Sequence, residues 1–313
     1  MLRRYANHMM RITVLASGSK GNSTIVASSR TRVLVDAGLS CRELLKRMLL
    51  AGEDPDALDA ILITHEHLDH INGLAVLARK LGVPVYFTEA AHRAWARMMS
   101  PRTTMTYAQW LDLRRAEMGP KDAEQTAILD QEEQDAADAT APTDPARLPA
   151  VEYFRAGSNF CIGDIAVTPF TVPHDAADPV GFVFETEGIR MAIATDLGYM
   201  PPNVRAALRR CDVLMIESNH DLEMLRDGPY PWQVKQRVLS RVGHLSNDAA
   251  AEFLAGEYDG GASYVILAHL SESNNLPELA RVAAEQALQG RMNLLGNRLV
   301  LAQQNAPMQP ICL

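Results

Sequence analysis

A short apolar run and the six residues after it constrain this chain more than any other feature. Residues 60–64 read Ala-Ile-Leu-Ile-Thr, which predicts a buried strand, and residues 65–70 continue as His-Glu-His-Leu-Asp-His. Imidazole nitrogens and carboxylate oxygens are ligands for Zn or Mn, and a tight turn after a strand can present several side chains to one point. Four such residues within six positions are far more than chance gives at the abundance of His and Asp in this chain. The sequence therefore predicts a metal site formed by His65, His67, Asp69 and His70.

Three further residues are candidate ligands because each stands at the end of a predicted strand. They are His174, Asp196 and His269. Taken singly, each could equally be a satisfied core or loop residue. Their shared position at strand ends favours a common site, and together with the turn they supply enough ligands for two divalent metal ions, Zn or Mn.

Strands and helices alternate along the chain. Residues 11–36 predict a β-meander of three short strands, and residues 40–51 predict a helix with Ser40 as its N-cap. Later helices are predicted at 71–81, 89–98, 202–209, 231–242, 246–255 and 276–289. Two halves, each a sheet followed by helices, predict an α/β fold of two packed sheets with helices outside.

The stretch from about 100 to 150 interrupts this alternation. Its later part, residues 130–142, is acidic, Ala-rich and almost free of large apolar side chains. Such a composition buries little apolar surface and predicts a mobile, partly disordered insertion. The alternative is a lid over the site that carries Trp95, Tyr107 and Trp110.

Charge and cysteine content restrict the class of protein. A net charge of −8 argues against non-specific coating of nucleic acid, although a local basic patch is compatible with it. The four cysteines are scattered, which favours reduced thiols in the cytoplasm over a disulfide framework. The chain contains no apolar stretch of about 18 residues, and its first residues lack the apolar core of a secretory signal. We therefore expect a cytoplasmic protein with no membrane partner.

The order of these motifs resembles the metallo-β-lactamase superfamily. The resemblance rests on Val-Asp-Ala-Gly at 35–38, the His-x-His-x-Asp-His motif, and His, Asp and His in that order downstream, and it covers almost the whole chain apart from the insertion. It implies an αββα sandwich, a single domain over 1–313 with halves 1–99 and 151–313, and an active site at one edge. It also implies roles for the ligands: His65, His67 and His174 on one metal, Asp69, His70 and His269 on the other, and Asp196 bridging them. Asp36 would orient the ligand turn, its alternative being an ordinary residue that ends a strand.

A pair of metal ions bound in this way fits hydrolysis. The cations lower the pKa of a bridging water, offset a developing negative charge and orient the scissile group. Asp69 would then be both ligand and general base. The substrate stays open, because the superfamily includes lactamases, thioesterases, lactonases and nucleases.

His244, in Gly-His-Leu-Ser-Asn at 243–247, narrows the range of possible substrates. Its position resembles that of a histidine in the phosphodiesterase branch that contains ribonuclease Z, which implies a general acid that protonates the leaving oxygen. The alternative is that His244 has no catalytic role and simply precedes a helix whose N-cap is Ser246. Together with 17–23, 35–40, 217–221 and 230–231, this string resembles the YycJ/WalJ branch, which implies an exonuclease acting on DNA and a possible role in repair. The acidic insertion and the negative net charge depart from that branch.

Several residues are candidates for substrate contact. The turn at 17–23 could present backbone N–H groups as an anion nest with Ser19 and Asn22 as side-chain donors, or it could simply connect strands. Asn219 and His220 follow a strand and could reach the edge of the site or belong to a capped turn. No individual role is assigned to the basic residues Arg205, Arg209, Arg210, Lys235, Arg237 and Arg241.

Three hypotheses for the function remain. The leading one is a binuclear phosphodiesterase or nuclease that acts on DNA or RNA. The second is a hydrolase of small acyl substrates such as thioesters or lactones. The third, a catalytically silent metal-binding regulatory module, is disfavoured by the full set of ligands.

Overall fold

Two mixed sheets form the centre of the molecule. The computed structural model describes residues 10–99, 145–289 and 298–313. Within them, the first sheet has the spatial order β14 (Ile311–Cys312), β1 (Arg11–Ala16), β2 (Ser23–Ala27), β3 (Arg32–Val35), β4 (Ala60–Leu62), β5 (Val85–Thr88) and β6 (Val151–Phe154). The predicted meander is confirmed, because β1, β2 and β3 pair antiparallel in sequence order, whereas β3 to β6 pair parallel.

The second sheet has a similar division into antiparallel and parallel parts. Its spatial order is β13 (Arg298–Leu301), β12 (Tyr264–Ala268), β11 (Val213–Glu217), β10 (Ile189–Ala194), β9 (Val180–Thr186), β8 (Ile165–Thr171) and β7 (Phe160–Ile162). Strands β7 to β10 pair antiparallel, and β10 to β13 pair parallel.

Helices cover the outer faces of both sheets. On the first sheet lie α1 (Cys41–Leu50), α3 (Leu74–Leu81) and α4 (Glu89–Met99). The second sheet is covered by α5 (Pro202–Ala207), α8 (Asn247–Gly256) and α9 (Pro277–Leu288). Three short helices, α2 (Leu68–Ile71), α6 (Leu222–Asp227) and α7 (Trp232–Val238), lie in loops, as does the 3₁₀ turn Pro55–Ala57.

Alternation of side chains along the strands builds the core in three layers. On β3, Val33 and Val35 face the second sheet, whereas Leu34 faces the helices. The same period of two places Val213 between the sheets and Leu214 under the helices of the other side. All five side chains are buried, so the order of layers is helix, sheet, sheet, helix. This confirms the predicted αββα sandwich.

Local packing changes two of the predicted helices. The helix predicted at 71–81 starts only at Leu74, because the N–H of Gly73 donates to the Ala37 carbonyl at 2.9 Å and not to a carbonyl of the preceding helical turn. The helix predicted at 231–242 ends at Val238, because the chain turns there and brings Gly243 close to the carbonyl of Val238. The predicted helix start at Ser40 is confirmed, since its side chain accepts a hydrogen bond from Glu43 N.

Other features lie outside those predictions. Strands β6, β7, β13 and β14 and helix α6 were not anticipated, because they are short or lie beside the insertion and the chain end. Residues 100–144 of the predicted insertion, and with them Tyr107 and Trp110 of the lid, lie outside the described residues. Trp95 is buried against the first sheet. None of the helices within the described ranges is both long and apolar enough to cross a lipid bilayer.

Substitution of Phe182 by Ala tests the layer between the sheets. Phe182 is 0% exposed, and its removal leaves a cavity in a close-packed core. We expect Phe182→Ala to lower the free energy of unfolding by about 3–5 kcal/mol. Urea denaturation measures it, with Leu49→Ala as a control because Leu49 is 66% exposed. Equal losses in the two variants would contradict this packing.

Candidate metal centre

The candidate site lies where strands of both sheets end. Asp36 directly follows β3, Asp196 lies two residues beyond β10, and His269 directly follows β12. These three residues adopt φ angles of 61°, 58° and 56°, in the left-handed region that residues other than glycine rarely adopt. Each such residue costs about 1–3 kcal/mol, and such strain concentrates at functional sites. The backbone therefore turns sharply where each side chain must enter the site.

The structure brings all seven candidate ligands into two adjacent groups. One group contains His65, His67 and His174, and the other contains Asp69, His70, Asp196 and His269; within each group the candidate ligand atoms lie within 4.8 Å of one another. Asp196, which the family resemblance implied as a bridge between two metals, falls in the second group, and it also forms a third group with Glu217, His244 and His269. Asp69 and His70 lie on the one-turn helix α2, whereas the sequence predicted a simple turn.

Hydrogen bonds to Nδ1 orient four of the five histidines. The Nδ1 atoms contact Thr64 Oγ1 (from His65, 3.0 Å), Asp36 Oδ2 (from His70, 2.7 Å), the Gly243 carbonyl (from His174, 3.1 Å) and Glu217 Oε1 (from His269, 2.7 Å). An Nδ1–H donated to such an acceptor leaves the lone pair of Nε2 directed to the other side of the ring. His67 differs, because its Nδ1 lies 3.2 Å from Nε2 of His174.

Asp36 connects the two ligand segments of the first sheet. Its carboxylate accepts hydrogen bonds from the Thr64 backbone N–H and hydroxyl, both at 2.8 Å, and contacts His70 Nδ1. Burial raises the pKa of Asp36, while His70 beside it opposes that rise. Thr64 Oγ1 also contacts His65 Nδ1, so one carboxylate fixes the orientation of both rings.

In the second sheet, Glu217 has the role that Asp36 has in the first: it orients histidine rings. The sequence analysis did not assign Glu217 a role. Its Oε1 contacts Nδ1 of His269 and Nδ1 of His244, the latter at 2.9 Å, and its Oε2 accepts hydrogen bonds from the backbone N–H groups of Leu197 and Leu245. Burial opposes ionisation of Glu217, but His244 and His269 hold its pKa at about 2. An ionised carboxylate only accepts hydrogen bonds, so both Nδ1 atoms are donors. The signal available in the sequence was an acidic residue directly after the apolar run 213–216.

The loop at 17–22 supports Asp69 from the side. Asn22 Nδ2 donates to Asp69 Oδ2 at 3.2 Å, and the Asn22 backbone N–H donates to the Asp69 carbonyl at 2.7 Å. A Cβ on Gly38 would lie 1.7 Å from that carbonyl, so only glycine fits. His70 and His269 hold the pKa of Asp69 well below its usual range, against the effect of burial.

A cleft of about 210 Å³ opens over the two groups. Of the four predicted substrate contacts, Ser19 and Asn219 line it, and Asn219 Nδ2 also donates to the His269 carbonyl at 2.8 Å. Asn22 does not line the cleft, because its amide is engaged with Asp69. His220 does not line the cleft either: its side chain is 1% exposed, and burial lowers its pKa to about 4.

The donor set fits divalent cations. Within the described residues, buried atoms without a hydrogen-bond partner include His65 Nε2, His269 Nε2 and Asp196 Oδ2. Leaving such atoms unpaired in the interior costs about 1–3 kcal/mol each. Burial and the neighbouring His70 lower the pKa of His65 well below its usual value, which keeps that ring neutral. Asp196 is a carboxylate, because His269 and His70 hold its pKa well below the usual range against burial. Imidazoles and carboxylates are ligands for divalent metal ions. The surrounding carboxylates raise the pKa of His70 and His269 against the effect of burial, so these two rings would release a proton when a cation binds.

Removal of the negative charge at Asp36 tests the orientation of the ligands. Asp36→Asn replaces one acceptor oxygen by a donor, so the bonds to Thr64 and His70 cannot all persist. We expect metal affinity to fall by about 10–100-fold while the fold is retained. Competition with a chromophoric chelator measures the affinity, and circular dichroism checks the fold. Asp248→Asn is the matched control, since Asp248 is exposed on α8. Wild-type affinity in Asp36→Asn would contradict the role given to this residue.

Comparisons with known proteins identify the family and agree with the fold. The family model of the metallo-beta-lactamase superfamily matches residues 16–234. The chain is 35% identical over 280 residues to the exodeoxyribonuclease YycJ of Bacillus anthracis, which covers 90% of this chain and 89% of that protein. It is also 35% identical over 272 residues to the exodeoxyribonuclease WalJ of Streptococcus pneumoniae serotype 2 strain D39, covering 87% and 86% of the two chains. The crystal structure of the metallo-beta-lactamase fold protein YhfI of Bacillus subtilis superimposes with a TM-score of 0.61 at 14% identity, over 96% of this chain and 98% of that one. The chain therefore belongs to the metallo-beta-lactamase superfamily, in the branch of YycJ and WalJ.

Proposed function

We propose that this protein is a metal-dependent exonuclease that hydrolyses phosphodiester bonds of DNA. The observation that carries the proposal is the pair formed by His244 and Glu217 beside the metal centre. A metal site alone serves acyl hydrolases equally well, whereas a histidine ready to donate a proton suits a poor leaving group such as a sugar hydroxyl. Relatives that are named exodeoxyribonucleases and align over almost the whole chain support the same substrate class.

His244 is proposed as the general acid. It lines the cleft, and its Nδ1 donates to Glu217, which leaves Nε2 available to a substrate. Burial opposes protonation, but Glu217 raises the pKa of His244 above its usual value. The ring can therefore carry the proton that a departing alkoxide needs. Because Glu217 also binds His269, the acid is held at a fixed position relative to the proposed ligands.

Asp69 is proposed as the proton acceptor on the opposite side of the reaction. Its carboxylate faces the cleft, while Asn22 and His269 contact Oδ2 at 3.2 and 3.4 Å. Two divalent ions, Zn or Mn, would supply Lewis acidity there, favouring ionisation of a water and offsetting charge on the phosphoryl group. We propose His65, His67 and His174 for one ion, Asp69, His70 and His269 for the other, and Asp196 between them.

Two further proposals concern the domain organisation and the cellular compartment. We infer that residues 1–313 form one domain, since side chains of both sheets share one core. Four free cysteines, two of them buried, fit a reducing cytoplasm.

A cleavage assay separates the candidate activities. Zn-loaded and Mn-loaded protein is incubated with single- and double-stranded DNA and RNA, each labelled at the 5′ or the 3′ end, alongside thioesters and lactones. We expect stepwise shortening of DNA from one end and loss of activity with EDTA. Absence of cleavage with either metal, together with turnover of an acyl substrate, would overturn the nuclease proposal in favour of an acyl hydrolase.

The identity of the leaving group tests the role of His244. We expect His244→Ala to lower kcat on an oligonucleotide by about 10²–10⁴-fold, because the leaving alkoxide loses its proton donor. On thymidine 5′-(p-nitrophenyl phosphate), whose nitrophenolate leaves unprotonated, the loss should stay within about tenfold. His92→Ala is the control, since His92 contacts Tyr153 on the outside of the first sheet. Equal losses on both substrates would show that His244 does not act as an acid.

A further inference from the structure

The cleft over the candidate metal centre contains one guanidinium among several carboxylates. Of the described residues that line it, Arg237 is the one Lys or Arg, and three are acidic: Asp69, Asp175 and Asp196. Arg237 lies on α7 and shares the helix face of Val234 and Val238, which also line the cleft. A phosphate that enters the cleft therefore has one guanidinium as its partner, and the position of Arg237 decides which phosphate that is.

The guanidinium of Arg237 is bound at one N–H group and open at the others. Its Nε donates to Asp175 Oδ2 at 2.5 Å. Within the described residues neither Nη atom has a hydrogen-bond partner, and the side chain is 60% exposed. Two parallel N–H groups on the outer edge of a guanidinium match two oxygens of a phosphate. Asp175 thus fixes one edge of the group and leaves the edge that suits a phosphate free.

Asp175 stands between Arg237 and the proposed metal ligands. Its Oδ1 lies 3.5 Å from Nε2 of His174, whereas its Oδ2 is the atom that binds Arg237. The backbone N–H of Asp175 donates to the Val242 carbonyl at 3.1 Å, which joins this segment to the one that carries His244. A phosphate held by the metal ions would lie on the His174 side of the Asp175 carboxylate, and the guanidinium lies on the other side. Arg237 is therefore placed for a neighbouring phosphate and not for the scissile one.

We propose that Arg237, oriented by Asp175, binds the phosphate next to the scissile phosphodiester, so that the site selects polynucleotides over esters with a single phosphate. The proposal rests on the proposed nuclease function and narrows its substrate class. A diester with one phosphate offers the metal centre the same scissile group but leaves Arg237 without its second contact. A contact between charged groups of this kind corresponds to about tenfold or more in affinity.

Removal of one charge from the substrate tests this assignment. Mn-loaded protein is given a 20-nucleotide DNA, both as a single strand and as a duplex, and release of the terminal nucleotide is measured. A second DNA carries an uncharged methylphosphonate at the second linkage from each end, which neutralises the phosphate next to the first scissile bond. We expect Arg237→Gln to lower kcat/KM on the unmodified DNA about tenfold, mainly through KM. The loss should be several-fold smaller on the neutralised DNA and on thymidine 5′-(p-nitrophenyl phosphate), because neither has the charge that Arg237 binds.

Three companion variants and a binding measurement separate the contact from a structural role. Arg237→Lys keeps the charge but not the paired N–H groups, so it should restore only part of the loss. Asp175→Ala should show the same dependence on the neighbouring charge, with a smaller loss. Arg281→Gln is the matched control, since this ion-paired arginine lies on α9 and does not line the cleft. By fluorescence anisotropy on a phosphorothioate form of the DNA, Arg237→Gln should reduce the slope of log K against log salt by about 0.7–0.9.

The outcomes distinguish this contact from the nuclease function. Equal losses for Arg237→Gln on the charged and the neutralised DNA, or on DNA and the nitrophenyl ester, would overturn the proposal. A wild type that binds DNA through Arg237 with the expected salt dependence but cleaves none would refute the nuclease function and leave the phosphate contact standing. A wild type that cleaves DNA equally well with or without Arg237 would do the reverse.

Discussion

The hydrogen bonds of the Glu217 carboxylate hold together the segments of the second sheet that contribute to the candidate site. The carboxylate accepts hydrogen bonds from two histidine rings and two backbone N–H groups, which belong to the segments after β10, before α8 and after β12. Because the group is fully buried and ionised, each lost donor would leave part of a charge unpaired in the interior. The three segments are therefore held in one arrangement, which places His269 and His244 about the same carboxylate.

In the first sheet, the carboxylate of Asp36 has the corresponding role. It connects the end of β3 to Thr64 and His70, and through Thr64 to the ring of His65. Both acids thus act on imidazole through Nδ1 and leave Nε2 for the centre of the site. Ring orientation is set before any cation binds, so less ordering has to accompany binding. The positive φ angle of Asp36 is a local cost that this network offsets.

Much of this arrangement could be predicted from sequence, and the limits have physical reasons. His174, Asp196 and His269 were predicted as candidate ligands because residues at the ends of neighbouring strands meet at one edge of a sheet. Glu217 was not given a role, since its partners come from segments far apart in the chain and only the fold brings them together. Asn22 and His220 were predicted at the substrate because they are polar residues in loops next to strands, yet one holds Asp69 and the other is enclosed. Propensity likewise could not show that α7 stops at Val238, which follows from the close approach of Gly243.

Anomalous X-ray diffraction at the Mn or Zn absorption edge tests the central claim most directly, namely that the two groups of oriented ligands hold two cations. For crystals of the metal-loaded protein we predict two peaks: one within reach of His65, His67 and His174, the other within reach of Asp69, His70 and His269, with Asp196 between them. A single peak, or a metal bound away from these residues, would contradict the account.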